Sequence, residues 1–351
     1  MKSVLLRNGR IELDDTPKPE PGPGEVLVRS RACGICGSDL HMVHNAGDFA
    51  HIAEHVGMPL PDDFELEIAL GHEFVGEIAA FGPETQRQLP VGQRVCSMPF
   101  LPTAGANRAI GAEPGVPGAY SEYFLCNESL LIPIADHVSD EAAALVEPLA
   151  VGIHAVARSG HDGQQAALVL GCGPIGLAVI TALRSAGVET IVAADPVQSR
   201  RELASASGAT HIVDSAGGQE MDRINEHAAG QPVVIYECVG RPFMLSQIID
   251  RAPQQATCVF VGLCTEDVSI LPFIAMQKEL DLKFAFYYAP EDFMAAVETI
   301  AAGGLDASLW VTGKVGIDGV CEAFEILSAP NEHVKVLVEP WREGGLEARD
   351  E

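Results

Sequence analysis

Two kinds of hydrophobic pattern divide this chain near residue 150. Before that point, short runs with partial alternation of apolar and polar residues are separated by glycine and proline, and they predict strands at 24–30, 74–78 and 94–98. Half-buried strands alternate in this way because successive side chains point to opposite faces of a sheet. The first part of the chain is therefore predicted to form a small barrel or curled sheet.

Beyond residue 150, continuous apolar runs alternate with segments of helical composition. The predicted strands lie at 166–170, 190–194, 211–213, 233–236 and 258–261, and the predicted helices at 175–186 and 199–207. Strands without polar positions are typical of a parallel sheet that is covered on both faces. This part predicts a doubly wound α/β fold. After about residue 287 the alternation loosens, with helices expected at 292–302 and 319–327 and a closing strand at 334–338.

Length and charge narrow the class of protein. A chain of 351 residues exceeds the usual size of a single hydrophobic core, so two domains are expected. The formal net charge of −27 disfavours nucleic acid and anionic membranes as partners. No apolar run is long enough to span a bilayer, and the N-terminus does not resemble a signal peptide. Nine scattered cysteines fit free thiols in a reducing compartment, so a cytoplasmic location is expected.

A glycine fingerprint follows the first buried strand of the second part. Gly171, Gly173 and Gly176, with Pro174 and Ile175 between the last two, match the spacing G-x-G-x-x-G. The first glycine permits a tight turn, the second lets backbone approach a pyrophosphate, and the third lets helix and strand pack closely. The position between a strand and a helix predicts a dinucleotide site at a helix N-terminus.

Asp195 ends the next predicted strand and bears on the choice of cofactor. An acidic residue there accepts hydrogen bonds from a ribose 2′-hydroxyl and repels a 2′-phosphate, which favours NAD over NADP. Helix capping before Pro196 is the competing role for Asp195. Arg200 and Arg201 keep NADP open, since a guanidinium is able to receive the phosphate.

Three residue types that bind zinc occur far apart in the sequence. Cys36, His72 and Glu147 offer one thiolate, one imidazole and one carboxylate, which hold a zinc ion and leave a fourth position open for substrate. Taken singly, each has an ordinary structural role, and their joint occurrence favours a metal site. Cys33 and Cys36 also form a C-x-x-C pair, but the segment lacks the βαβ context of a thiol–disulfide couple.

Four motifs in this order resemble the zinc-dependent medium-chain dehydrogenase/reductase family, which includes the alcohol and polyol dehydrogenases. They lie at 33–39, 71–76, 147–154 and 335–340, around the glycine loop, so the resemblance covers nearly the whole chain. It implies a GroES-like, β-rich catalytic domain at 1–150 and 288–351. It also implies an inserted NAD-binding Rossmann domain at 151–287.

The resemblance assigns roles around the metal. It makes Cys36, His72 and Glu147 the ligands of a catalytic zinc, with Glu73 either a further ligand or a support behind the ligands. Asp39 resembles the carboxylate that orients the ligating histidine. Many family members hold a second, structural zinc in a lobe with four cysteines, but residues 97–119 contain no cysteine. One zinc ion per subunit is therefore expected.

The resemblance also implies a role in proton transfer for two further residues. Ser38 resembles the first hydroxyl of the family's proton relay, and His41 occupies the place from which some alcohol dehydrogenases pass the proton to solvent. Capping of a turn by Ser38 and simple surface exposure of His41 are the competing explanations.

The resulting hypothesis is an oxidoreductase that transfers a hydride from a secondary alcohol, diol or polyol to NAD with the help of zinc. A ketone or aldehyde reductase that uses NAD(P)H and a non-catalytic nicotinamide-binding protein are the alternatives. The zinc-free quinone reductase branch lacks the cysteine and histidine motifs found here. The expected partners are a small alcohol or ketone and further copies of the chain, as a homodimer or homotetramer.

Overall fold

The computed structural model describes residues 1–55, 67–103, 106–329 and 331–348. The polypeptide forms two compact units, and the first is built from both ends of the chain. Unit 1 comprises Met1–Glu147 and Val311–Glu351, and unit 2 comprises Pro148–Trp310.

The N-terminal part of unit 1 consists mainly of short strands. The strands are β1 (Lys2–Arg7), β2 (Arg10–Asp15), β3 (Glu25–Gly34), β4 (Glu67–Ala69), β5 (Glu73–Phe81), β6 (Arg94–Ser97), β7 (Phe100–Thr103), β8 (Ala106–Ala109), β9 (Tyr123–Asn127) and β10 (Leu131–Pro133). The helices are α1 (Gly37–His44), α2 (Ala46–His55) and α3 (Asp140–Ala144). The three strands predicted here are confirmed, and the first runs four residues further than predicted, to Gly34.

The middle part of the chain alternates between strands and helices. The strands are β11 (Ala166–Leu170), β12 (Ile191–Asp195), β13 (His211–Asp214), β14 (Val233–Glu237), β15 (Thr257–Phe260) and β16 (Asp281–Phe284). The helices are α4 (Val146–Ser159), α5 (Pro174–Ser185), α6 (Gln198–Ala206), α7 (Glu220–Ala228), α8 (Pro242–Arg251), α9 (Pro272–Gln277), α10 (Pro290–Ala301) and α11 (Ala307–Trp310).

The last part of the chain returns to unit 1. It contributes β17 (Val311–Gly316), α12 (Val320–Ser328), β18 (Lys335–Glu339) and β19 (Glu347–Ala348). The main sheet of unit 1 has the strand order β10-β6-β5-β3-β18-β17-β19, and β9 also pairs with β3. A separate sheet has the order β2-β1-β4, and β7 and β8 form a hairpin. The central position of β3 matters for function, because β5 and β18 lie on either side of its end.

One hydrophobic core fills unit 1. It is made by inward-facing residues of the strands, among them Val28, Phe74 and Phe124, and by Phe324 of α12. The aromatic rings of Phe74 and Phe124 meet edge to face with their centroids 4.6 Å apart. Residues from both ends of the chain therefore share one core, which explains why the C-terminal segment is part of this unit.

Unit 2 contains a six-stranded parallel sheet in the order β13-β12-β11-β14-β15-β16. Every residue of β11, β12 and β14 is buried, as their continuous apolar sequences predict. The order reverses at β11, which is the switch point where doubly wound sheets bind ligands at their carboxyl ends. The α/β fold class with a β-rich domain and a doubly wound domain is confirmed.

The second unit extends beyond the predicted boundary at residue 287. Helix α10 lies in unit 2, where it buries Phe293, Ala296 and Ile300. His154 Nδ1 of α4 lies 2.7 Å from Asp292 Oδ2. An amphipathic helix belongs with the core that covers its apolar face, and the loosened pattern after residue 287 did not reveal that core.

No helix in the described parts of the chain combines the length and apolar character needed to cross a bilayer.

Candidate functional site

Three side chains of types that can bind metals lie close together in unit 1. The ligand atoms of Cys36, His72 and Glu73 all lie within 4.8 Å of one another. Cys36 precedes α1, and Glu73 opens β5, where it pairs with Gly34 at the end of β3. The strand pairing therefore brings residues that are nearly forty positions apart into one cluster.

Asp39 lies behind His72 and is completely buried. Its Oδ1 atom faces His72 Nδ1 at 3.5 Å, and its Oδ2 atom accepts a hydrogen bond of 3.1 Å from the Cys36 amide. The hydroxyl of Tyr120 lies 2.6 Å from Asp39 Oδ2 and 2.7 Å from the carbonyl oxygen of Gly34. Asp39 therefore faces the imidazole, accepts a hydrogen bond from the loop that carries Cys36, and is itself held by Tyr120.

The electrostatics around His72 favour a positive charge. Burial lowers the pKa of His72, but Asp39, and then Cys36, outweigh this effect and raise it well above its ordinary value. Asp39 Oδ1 and His72 Nδ1 are buried, and neither has a hydrogen-bond partner among the described residues. Since Nδ1 faces Asp39, Nε2 is the nitrogen left for a ligand. A thiolate, an imidazole and a carboxylate in an acidic surrounding suit zinc.

Glu147 does not belong to the three-residue cluster, although it lies near it. The carboxylate is buried in the first turn of α4, and its charge contributes to raising the pKa of His72. The sequence predicted Glu147 as a ligand and left Glu73 open. The geometry groups Glu73, rather than Glu147, with Cys36 and His72.

A buried lysine that the sequence analysis did not assign to the site contacts Glu73. Lys335 Nζ lies 2.8 Å from Glu73 Oε1, 2.5 Å from Glu73 Oε2 and 3.1 Å from the carbonyl oxygen of Ile35. Burial lowers the pKa of Lys335, but the charges of Glu73 and Cys36 outweigh burial and raise it. The sequence did contain a signal for this contact: a lysine stands among the apolar residues at the start of β18. A lysine that is buried there needs a carboxylate partner.

The two residues predicted to relay a proton lie on one helix. Ser38 and His41 are three positions apart on α1, so they share a face. His41 Nδ1 lies 3.2 Å from Asn45 Nδ2, and His41 Nε2 lies 3.5 Å from Asp48 Oδ2.

Among the described residues, one group of three His, Cys, Asp or Glu side chains is close enough to share a metal ion, and it consists of Cys36, His72 and Glu73. The region without cysteines, 97–119, contains the β7–β8 hairpin. Glu113 there accepts hydrogen bonds from the side chain of Arg108 and from the amide of Ala109. The carboxylate of Glu113 therefore ties β8 to the residues that follow it.

The glycine fingerprint of unit 2 connects β11 to α5. Gly171 has φ of +89°, in the left-handed region that favours glycine. A Cβ atom on Gly176 would lie 1.8 Å from the carbonyl oxygen of Gly171, whereas one on Gly173 would meet no atom within 4 Å. Pro174 and Ile175 open the helix. Gly176 therefore allows close packing of helix and strand, and Gly173 leaves the surface above the loop free.

Asp195 ends β12 and contacts the glycine loop. Its Oδ2 atom accepts a hydrogen bond of 2.8 Å from the Cys172 amide, and its Oδ1 atom accepts one of 2.8 Å from the Val197 amide. Val197, rather than Asp195, precedes the first residue of α6, so Asp195 is not the N-cap of this helix.

The two arginines after Asp195 differ in their surroundings. Arg201 Nη1 donates to the Asp195 carbonyl oxygen at 2.8 Å, and Arg201 Nη2 lies 3.5 Å from Asp214 Oδ2. Arg200 lies in the first turn of α6 and also has an interaction partner. The guanidinium of Arg201 thus interacts with two oxygen atoms of the protein itself, at Asp195 and Asp214.

The hydroxyl of Tyr120 is expected to stabilise the metal site. Tyr120→Phe keeps the buried ring and removes the donor to Asp39, which should lower the free energy of unfolding by about 1–3 kcal/mol in urea denaturation. Tyr123→Phe is the matched control, because its ring contacts with Lys18 and Trp341 remain, and a change below about 0.5 kcal/mol is expected. Equal stability of Tyr120→Phe and the unmodified protein would contradict this account of the network.

Comparison with known proteins identifies the two units. Residues 22–136 match the family described as alcohol dehydrogenase GroES-like domain, and residues 174–302 match the family described as zinc-binding dehydrogenase.

Relatives match over nearly the whole chain. A sorbitol dehydrogenase from Bacillus subtilis (strain 168) is 33% identical over 97% of this chain and 98% of its own length. The crystal structure of 2R,3R-butanediol dehydrogenase from Bacillus subtilis is 32% identical, with a TM-score of 0.81 over 97% of this chain and 99% of that one. A chain from Sinorhizobium meliloti 1021, described as a zinc-binding dehydrogenase bound to NADP, is 29% identical with the same TM-score, over 97% of this chain and 99% of its own. This protein belongs to the zinc-dependent medium-chain alcohol and polyol dehydrogenase family.

Proposed function

We propose that this protein is a zinc- and nicotinamide-dependent dehydrogenase that oxidises a secondary hydroxyl of a diol or polyol. The cluster of Cys36, His72 and Glu73 is the observation that carries the proposal. The relatives whose names include sorbitol and butanediol support this substrate class. The same site serves the reduction of the corresponding ketone, since a catalyst accelerates both directions.

Three residues would hold the zinc. Cys36, His72 and Glu73 would supply its protein ligands, and Glu147 lies close by as a further buried carboxylate. When bound, zinc acts as a Lewis acid that lowers the pKa of the substrate hydroxyl. Asp39 orients the imidazole of His72 through Nδ1, which fixes the direction of the other ring nitrogen.

Ser38 and His41 would carry the proton that the substrate hydroxyl releases. Both lie on α1, which starts directly after Cys36, so the proposed proton path begins at the metal site. The imidazole of His41 faces the carboxylate of Asp48, which is more than one-third exposed, so the path leads from the buried site toward solvent. A bound NAD would supply the nicotinamide ring as hydride acceptor, and its pyrophosphate would rest on the loop at Gly173 and the N-terminus of α5.

Two single substitutions, one at Cys36 and one at the nearby Cys33, test this function when they are compared. The purified protein should contain one zinc per chain and should reduce NAD with butane-2,3-diol, sorbitol or xylitol, as measured by NADH absorbance. Cys36→Ala should lose zinc and lower kcat/KM by at least about a hundredfold, because it removes a ligand. Cys33→Ala, at a fully buried position in the same motif, should retain both.

Zinc-loaded protein that turns over no diol or polyol, in either direction, would favour the non-catalytic alternative. Two tightly bound zinc ions per chain would contradict the assignment of a single metal site.

NAD is the proposed nicotinamide cofactor. The Asp195 carboxylate lies at the end of β12, against the glycine loop, and its negative charge would repel a 2′-phosphate. Arg201 interacts with the Asp195 carbonyl oxygen and with Asp214, so it is not positioned as a free phosphate partner. One structural relative is bound to NADP, so turnover with NAD and with NADP is the comparison that tests this proposal.

Removing the charge of Asp195 should weaken the preference for NAD. In Asp195→Asn the ratio of kcat/KM for NAD to that for NADP should fall by at least about tenfold, because repulsion of the 2′-phosphate is lost. Glu189→Gln, at an exposed position just before the opposite end of β12, should leave the ratio unchanged. An unmodified protein that prefers NADP would show the proposal to be wrong.

We also propose that two copies associate through the β16 edge of the six-stranded sheet. Strand β16 pairs with β15 on one side and ends the sheet on the other. Large apolar side chains are exposed beside it, including Phe273 (61%) and Met276 (67%) of α9 and Phe284 (63%) of β16. A hydrophobic surface next to an open strand edge is the kind that a second copy covers.

A charge on this surface should separate the copies. Phe273→Glu is expected to reduce the mass measured by light scattering from that of a dimer or tetramer to a smaller species, since a buried unpaired carboxylate is costly. Ile212→Glu places the same charge on the opposite edge strand, β13, at a site that is 45% exposed, and should leave the mass unchanged. A monomeric unmodified protein would rule out this interface.

A cytoplasmic location is consistent with the cysteines. All nine are free, and those at Cys96, Cys126 and Cys258 are buried in the cores of the two units. Free thiols persist in a reducing compartment, so we place the protein there.

A further inference from the structure

The ion pair between Lys335 and Glu73 crosses three adjacent strands. Glu73 opens β5, Gly34 ends β3, and Lys335 begins β18. Gly34 pairs with Glu73 on one side and with Leu337 on the other. A Cβ atom on Gly34 would lie 2.0 Å from Glu73 Oε2 and 3.2 Å from Lys335 Cδ. The absence of a side chain at Gly34 leaves the space through which the pair meets.

The ammonium group of Lys335 is fully committed. Both side chains of the pair are 1% exposed, so water does not weaken their attraction. The three contacts of Nζ, with both Glu73 oxygens and the Ile35 carbonyl oxygen, match the three protons of an ammonium group. The geometry therefore fixes Lys335 in one position against Glu73.

Glu73 belongs to two groups at once. Its carboxylate contacts Lys335, and one of its oxygens lies within 4.8 Å of the ligand atoms of Cys36 and His72. A cation in the metal cluster and the ammonium of Lys335 therefore attract the same carboxylate and repel each other.

We infer that Lys335 is a positioning residue that competes with the metal for Glu73 and thereby weakens the third ligand. This inference rests on the proposed zinc-dependent function. A carboxylate shared with an ammonium group donates less negative charge to the metal. A bound metal would then retain more of its own charge for a substrate hydroxyl, and the protein would hold it more loosely than a site with three unshared ligands.

The rate of zinc release to a chromophoric chelator tests the inference without relying on activity. Lys335→Met removes the competing charge at similar size, and zinc release from the holoenzyme should slow by roughly tenfold or more. Lys335→Gln also lacks the charge but retains N–H donors for Glu73 and the Ile35 carbonyl oxygen, so it guards against a failure of Lys335→Met to fold. It should slow release by roughly threefold or more.

Two further variants test whether Lys335 changes the rate of zinc release through Glu73. Lys335→Arg keeps the charge and should release zinc within about threefold of the unmodified rate. In a Glu73→Gln background no carboxylate is left to share, so adding Lys335→Met should change the rate by less than about threefold. The visible absorption of the cobalt-substituted protein should also change in Lys335→Met and not in Lys335→Arg, because the coordination of the metal changes only when the positive charge is lost.

The outcomes separate the inference from the function. Slower release from both neutral variants, lost in the Glu73→Gln background, supports the role of Lys335. Release that is as fast as, or faster than, that of the unmodified protein, from folded neutral variants, would overturn it while leaving the zinc-dependent function intact. An unmodified protein that retains no zinc would overturn the proposed function itself, and the inference with it.

Discussion

A cluster of buried acidic groups is the constraint on which unit 1 depends. Asp39, Glu73 and Glu147 are all buried, beside Cys36 and His72. Isolated buried carboxylates are costly, so such a cluster requires cations or hydrogen-bond donors in fixed places. Lys335 and the hydroxyl of Tyr120 meet part of this requirement from within the chain. The remaining negative charge favours a divalent cation, which is what a metal-dependent dehydrogenase needs.

The topology of the chain explains how these groups meet. Strand β3 lies between β5, which follows it in sequence, and β18, which returns from the C-terminus. This arrangement allows unit 2 to be inserted in the chain while both ends complete one sheet and one core. A substitution in the last part of the chain is therefore able to affect the metal site directly.

Much of the fold was predictable because local patterns determine it. In unit 2, the strands at 166–170 and 233–236 and the helix after the glycine loop were predicted within one residue of their observed bounds. A strand that is buried on both faces is continuously apolar, and this signal does not depend on distant residues. The boundary at residue 287 was different, because α10 joins unit 2 through its buried face, which sequence spacing does not reveal.

The sequence by itself determined the kinds of ligand available, the glycine loop and the family, since each is carried by residue types at short spacings. Only the tertiary structure decided which carboxylate joins Cys36 and His72, and it grouped Glu73 with them rather than Glu147. It also decided that Lys335, 262 positions from Glu73 in the chain, is the partner of that carboxylate. Such choices depend on strand register and on the space above Gly34, and neither is encoded in local sequence patterns.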